Sequence, residues 1–441
     1  MKCKSLLFSA LCFGTAWSQQ GPAGPAANTE SFGEGAAARG NFMSYGVSSS
    51  SSFNDNALTG SSSQRNFTTA IYPQLGLQYT SARLESDLFF GPGWVYSSDV
   101  SMYNSVSQSL RTRTQLRLTK RFSLVVRESF NQTRNPIDLL QNQSTSSVFN
   151  LLDRPNPSVA AGNIQARTEQ SGLDANYRVS AHTNVAVGGT FEQVNYDQLT
   201  GNNFGSSSQR SQAFSTNAYI SHDFTPRYSS GIQYQYQNID SKQSFGVQTA
   251  GSRALIHKFL GFENVSLSSG IKISLFAGPE LTDVNGQNSG AASPIGFSQW
   301  SWAGGASVVI TRKSTSLTGS FIREVNDGGT SGGTVQMQSL DIHLRRQLSQ
   351  RTSIGVLATY VANSGFGAIS TLGAANYFNY GATYTKNLTP HLDLSFSYLG
   401  QRITGGNSLI NGSQNPVLSS FQNQNIGSVA LSYNFTRPLG R

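Results

Sequence analysis

Two stretches decide the fold: Tyr219-Ile220-Ser221-His222-Asp223-Phe224-Thr225-Pro226-Arg227-Tyr228 and Tyr384-Thr385-Lys386-Asn387-Leu388-Thr389-Pro390-His391-Leu392. In each, apolar and polar residues alternate, a tight Thr-Pro turn reverses the chain, and alternation resumes. A period of two puts the apolar side chains on one face of a β-strand, and proline's fixed φ suits the turn between two strands. Weaker copies centre near Ala82, Arg121, Ala181, Ser269, Lys313 and Gln350, so the turns fall about 40–44 residues apart, with one wider gap after Arg121. Long strands joined pairwise by short turns are the pattern of an antiparallel barrel that crosses a membrane.

Composition supports that reading. The 441 residues are long enough for two or three soluble domains. Yet only 12% of them are charged, about half the roughly 25% of an ordinary soluble domain. The apolar residues are dispersed singly among Ser, Thr, Asn, Gln and Gly, as expected of strands with lipid on one face and a watery interior on the other. No apolar run reaches the roughly 18–20 residues that a membrane-spanning helix needs.

The N-terminus reads as a signal peptide over residues 1–18: Lys2 and Lys4 precede an apolar core, and Ala16-Trp17-Ser18 forms a small-x-small cleavage site. Both cysteines, Cys3 and Cys12, lie within it, so neither a disulfide framework nor a thiolate metal site is expected, and no cofactor. Leu11 is too bulky to precede a lipidated cysteine. Loss of Lys2 and Lys4 takes the formal charge from +9 to about +7. No basic cluster is interleaved with aromatics, so no nucleic-acid partner is expected.

Residues 19–40, rich in Gly, Ala and Pro, form a flexible periplasmic leader, and residues 41–441 the barrel. Eight turns imply sixteen strands. Met43, Tyr45 and Val47 add a first strand and Val429, Leu431, Tyr433 and Phe435 a last one, for about 18, with 16 as the alternative. Lipid-facing sets include Leu75, Leu77 and Tyr79, Ile232, Tyr234 and Tyr236, Trp300 and Trp302, and Ile354, Val356 and Tyr360. The weakest strand lies between Lys258 and Ile271. Residues 278–298, 363–376 and 401–420 read as longer loops on the cell exterior.

With its signal peptide, its Thr225-Pro226-Arg227 and Thr389-Pro390-His391 turns and its terminal strand Val429-Ala430-Leu431-Ser432-Tyr433-Asn434-Phe435, the chain resembles bacterial outer-membrane β-barrels of the porin-like kind over nearly its whole mature length. The resemblance implies residence in the outer membrane among lipid and lipopolysaccharide, and recognition of the last strand by the barrel-assembly machinery. One departure is that Thr436-Arg437-Pro438-Leu439-Gly440-Arg441 follows Phe435, where the family usually ends on an aromatic residue.

The sharpest local signal lies in residues 108–120. Leu110, Leu116 and Leu118 share one strand face, and Arg111, Arg113 and Arg117 the other. Each arginine would cost about 2–4 kcal/mol at the lipid midplane, so the column is expected to line the lumen and favour anions, with Arg127 extending it on the next strand. The competing reading is that lumenal carboxylates neutralise these arginines and they only brace the wall. The loop at residues 131–166 carries two apolar patches, and in general porins the third loop folds inward. Asp138 and Asp153 would then face the arginines across a constriction; otherwise the loop packs on the rim.

Asp341 and His343 share a strand face with Arg345, but their side chains run parallel and no serine partner can be assigned, so no enzyme is expected. The short leader argues against a TonB-dependent transporter with a plug domain, and the absence of a passenger against an autotransporter. The expected function is a passive, weakly anion-favouring channel for small hydrophilic solutes, as a monomer or a homotrimer. The alternative is a structural or adhesive surface barrel with a blocked lumen.

Overall fold

The computed structural model describes residues 41–55, 65–98, 104–133, 164–198, 207–245, 248–288, 295–327, 334–365, 375–405, 409–410, 413–414 and 421–438. β1 (Phe42–Asn54) is followed by eight hairpins. They are β2 (Asn66–Thr80) with β3 (Leu84–Ser97), β4 (Ser105–Arg117) with β5 (Phe122–Thr133), β6 (Ile164–Arg178) with β7 (Thr183–Gln198), and β8 (Ser207–Thr225) with β9 (Tyr228–Phe245). Then come β10 (Gln248–Ser268) with β11 (Ile271–Asn288), β12 (Ile295–Arg312) with β13 (Thr315–Asp327), β14 (Thr334–Ser349) with β15 (Thr352–Gly365), and β16 (Ala375–Thr389) with β17 (Leu392–Gly405). β18 (Leu409–Ile410) and β19 (Ser413–Gln414) pair only with each other, and β20 (Phe421–Pro438) ends the series. β20 pairs with both β17 and β1, closing an antiparallel ring of 18 strands.

All eight expected turns are present, and they share a device. In seven, a Ser or Thr hydroxyl accepts the backbone N–H two residues on: Ser81 from Arg83, Thr119 from Arg121, Ser180 from His182, Thr225 from Arg227, Ser268 from Gly270, Ser349 from Arg351 and Thr389 from His391. Such a bond mimics a backbone turn and suits hydroxyl residues at reversals. The eighth turn instead places Lys313 at a φ of 41°.

Large apolar side chains point outward all round the ring. On β6 to β10, Leu173, Val187, Phe191, Phe214, Ile232 and Phe259 are exposed on that face, Ile232 by 66%. Facing hydrocarbon, each is worth about 1.5–3 kcal/mol. Above this band, at the end with the longer connections, Arg167, Asn195, Arg210 and Lys242 stand in one register row, which marks where apolar surroundings end.

Two expectations are corrected here. Residues 278–298 are mostly strand, since β11 runs to Asn288 and β12 starts at Ile295. Gly278-Pro279 resembles a chain break, yet Pro279 sits where the ladder to β10 lapses, and Gly278 lets β10 approach closely; a Cβ there would lie 1.7 Å from the Phe259 carbonyl oxygen. The weak segment after Lys258 belongs to the longest strand, β10, of 21 residues. The last strand also runs past Phe435, with Arg437 opposite Met43 and Pro438 opposite Phe42.

Candidate functional site

The arginine column lies on the inner face. Leu118 on the opposite face of that chain segment is exposed, and register places Arg111 opposite Phe89 and Ser129, Arg113 opposite Asp87 and Arg127, and Arg117 opposite Ser123. Arg127 forms an ion pair with Asp174 of β6. The guanidinium has room because its register neighbour is Gly172, where a Cβ would lie 3.5 Å from Arg127 Nε. The column is therefore interleaved with carboxylates, while Arg111 and Arg113 stay exposed to the lumen. Asp138 and Asp153 lie outside the described residues. Asp341 and His343 are on the inner face of β14, alternating with exposed Leu340 and Ile342.

The expected watery interior does not extend over the whole inner wall. The largest fully buried side chains are Lys258, Ile239, Ile256, Ile322, Met337, Glu280, Val325, Val335, Val361, Asn379, Thr133 and Thr282. Every one lies at the middle of its strand or in the half next to the longer connections. Leu260, Phe262, Phe276, Ala303 and Ile322 form one apolar cluster, Ile239, Ala254, Ile256, Val284 and Val325 a second, and Met337, Val361, Tyr377 and Ile403 a third. Around a water-filled pore, side chains of this size on the inner face would be wet.

Polar groups within the wall differ in how they are satisfied. Near the turn end, Ser274 Oγ donates to Asn264 Oδ1 at 2.9 Å, and Asn264 Nδ2 donates to Ser229 Oγ at 3.3 Å. Nearer the other end, Asn379, Gln401 and Gln424 stand in one register row across β16, β17 and β20. They are 2–4% exposed, and Asn379 Nδ2 and Oδ1, Gln401 Nε2 and Gln424 Nε2 have no partner. Leaving such a group unpaired costs about 1–3 kcal/mol.

A buried charge network joins the wall at β10 to β13. Lys258 Nζ lies 2.8 Å from Glu324 Oε2 and 3.4 Å from Glu280 Oε2. Glu280 also accepts from Ser301 Oγ at 2.7 Å and from the Val325 N–H at 3.2 Å. Sequence reasoning missed this trio because its members are spread over three strands. The available signal was three inward-parity charges at one height in consecutive hairpins. It also missed the turn motif Ser/Thr-x-basic, which places exposed Arg83, Arg121, His182, Arg227, Arg351 and His391 around the turn end.

No protein-family model matches the chain, and no curated protein is detectably similar to it. Solved structures do match. The ferric citrate transporter FecA in its unliganded form gives a TM-score of 0.48 at 9% identity, covering 89% of this chain and 78% of that one. The alcaligin outer-membrane receptor FauA from Bordetella pertussis gives 0.43 at 10% identity, covering 89% and 76%. The siderophore receptor PirA from Acinetobacter baumannii gives 0.42 at 8%, covering 89% and 80%. What is shared at these levels is the strand barrel.

The expectation of a passive, weakly anion-favouring porin is corrected. The matching structures named here are receptors and a transporter, not porins. The inner wall also carries fully buried apolar side chains and a buried ion network in place of a uniformly wet lining. The chain is a closed antiparallel β-barrel of 18 strands, the architecture it shares with these outer-membrane proteins.

Proposed function

We propose that this barrel is a receptor: it captures a small solute in a closed lumen and passes it on, and does not sieve solutes by diffusion. The observation that carries this reading is the dry part of the inner wall, which holds the aligned and unpartnered amides of Asn379, Gln401 and Gln424. Unpaired buried donors are costly unless a ligand completes them. The longer connections face the cell exterior in this reading, and the short turns face the periplasm.

The wall also suggests the solute class. Phe262, Phe276 and Ile322 supply an apolar sector on β10 to β13, while exposed Arg111 and Arg113 stand on β4, across the ring. An amphipathic molecule with an anionic group and hydrogen-bond acceptors matches both walls and the amide row. Arg127, already paired with Asp174, braces the wall. The role is binding and transfer without catalysis.

Planar-bilayer recording tests the closed lumen, with no steady ohmic current expected. Native mass spectrometry of protein extracted from its membrane tests retention, with a small bound solute expected and lost in an Asn379→Leu/Gln401→Leu variant. A sustained open-channel current in the unmodified protein would overturn the reading.

A further inference from the structure

The wall of the barrel is discontinuous at one seam. β12 has 18 residues and β13 has 13, yet they share only the ladder from Arg312↔Thr315 to Gly304↔Arg323. Beyond it, β12 stays paired to β11 as far as Ile295↔Gly286, and β13 to β14 as far as Asp327↔Thr334. Residues 295–303 of one strand and 324–327 of the other thus face each other without a ladder.

The seam lies at membrane depth. It begins beside Trp302, and Trp300 and Trp302 are exposed on the outer face at this height. Main-chain polar groups in hydrocarbon must be satisfied internally, and other groups do that here. The Val325 N–H goes to Glu280, which also holds Ser301 of the opposite lip. Lys258 ties Glu280 to Glu324. At the root of the seam, the Arg323 guanidinium lies 4.2 Å over the Trp302 ring, and a cation–π contact of this kind suits a cation held out of water.

The two lips overlap. Continued register would place Val325 opposite Trp302 on the lipid face. Instead Val325 is fully buried and packs with Ile239, Ala254, Ile256 and Val284 of the inner wall. The tip of β13 is tucked behind β12, and side chains pin it there where the other strand pairs use backbone hydrogen bonds.

We infer that the β12–β13 seam is a lateral portal through which an amphipathic molecule with an apolar chain passes between the outer leaflet and the lumen. Its position selects that class, because only a molecule already dissolved in the bilayer reaches an opening at this depth. The inner wall behind the seam carries the apolar Ala254, Ile256 and Val284 beside the ion network, and Leu260, Phe262, Phe276 and Ile322 stand at its root. Glu280 is the pin: it bonds both lips, and Lys258 neutralises it. This inference rests on the closed lumen proposed above and names its route of access. An open current in bilayers would defeat the closed lumen, whereas the photolabelling below reports on the seam separately.

The test uses the full barrel in lipid vesicles with a diazirine-bearing fatty acid as the probe. On illumination, inward residues of β10 and β11 such as Leu260, Phe262 and Phe276 are expected to be labelled, besides lipid-facing Phe259. A Ser301→Cys/Val325→Cys variant bridged by a short bis-methanethiosulfonate should lose at least about tenfold of the inward labelling, and reductant should restore it. Cys3 and Cys12 are replaced by Ser, which leaves the introduced pair as the reactive one, and heat-modifiable gel migration checks that the variant is folded. Labelling confined to the lipid face, or inward labelling indifferent to the bridge, would overturn the portal. The unmodified protein gives a second measurement: those amides of residues 295–303 that do not bond β11 should exchange at least about tenfold faster than the amides of residues 304–312 on the same edge, which bond β13, and equal protection would overturn it.

Discussion

Replacing Lys258 by Met puts the buried charge network to its most direct test. The ammonium is the only cation that ion-pairs with Glu280 and Glu324 among the described residues, at 3.4 and 2.8 Å, and both its own and Glu280's side chains are essentially without solvent contact. Methionine keeps most of the volume and removes the charge, so two carboxylates remain together in a dry wall. Breaking a buried pair by deleting one partner costs about 3–5 kcal/mol, because an uncompensated charge is left behind. Neutralising all members together is often neutral or stabilising. The Lys258→Met/Glu280→Gln/Glu324→Gln triple should therefore return to within about 1–2 kcal/mol of the natural chain. The assay is equilibrium urea unfolding of the barrel in lipid vesicles, followed by tryptophan emission and gel migration. A Lys258→Met variant within about 1 kcal/mol of the natural protein would refute the reasoning, since it would mean that water already reaches these carboxylates.

Four more outcomes are expected. Gly278→Ala should destabilise by more than about 2 kcal/mol through its clash with the β10 backbone, whereas Gly319→Ala, with nothing within 4 Å of the added carbon, should gain about 0.5–1 kcal/mol; urea midpoints decide between them. In vesicles of lipid brominated along its acyl chains, Trp94, Trp300 and Trp302 should all be quenched, since all three are exposed on the lipid face. A double-mutant cycle on Arg127→Ala and Asp174→Ala should show a coupling of about 1 kcal/mol, given two half-buried partners; additive losses would show that the pair contributes nothing. Replacing Arg83, Arg121, Arg227 and Arg351 by Ser should weaken retention of anionic phospholipid during delipidation, and the difference should vanish in high salt.

The fold was legible because its signals are local. Each turn carries a hydroxyl that satisfies a nearby N–H, and each outward face repeats every second residue, so Tyr219 to Tyr228 announces a hairpin without help from the rest of the chain. The inward face behaves differently. On β10, Ile256, Leu260 and Phe262 point inward while Phe259 points to lipid, so apolar residues occupy both faces and alternation disappears. For that reason the residues after Lys258 looked like the weakest strand, although they belong to the longest. The arginine column was legible from parity, since three arginines stacked in hydrocarbon would be costly. The pairing of Arg127 with Asp174 was not, because that partner comes from the next hairpin. The buried apolar clusters of the inner wall depend on contacts among β9 to β17, and no single window of sequence contains them. Residues 278–298 looked like a loop for a related reason: Gly278-Pro279 at their start is tolerated within β11, where the ladder to β10 has lapsed.

The pairing of β1 with β20 has a consequence for how the molecule is made. Phe42 meets Pro438 and Asn54 meets Ile426, so the contact that completes the ring joins the segments most distant along the chain. Closing a loop of that length is slow, because the entropy is lost before any contact rewards it. Until β20 arrives, β17 and β1 each present a full row of unpaired backbone groups, which invites pairing with other chains. Loss of the last strand would remove both ladders that hold it and leave two such edges at once. A barrel built in this way has no half-finished stable form. Closure itself therefore acts as an inspection step, passing only chains that arrive with both ends intact.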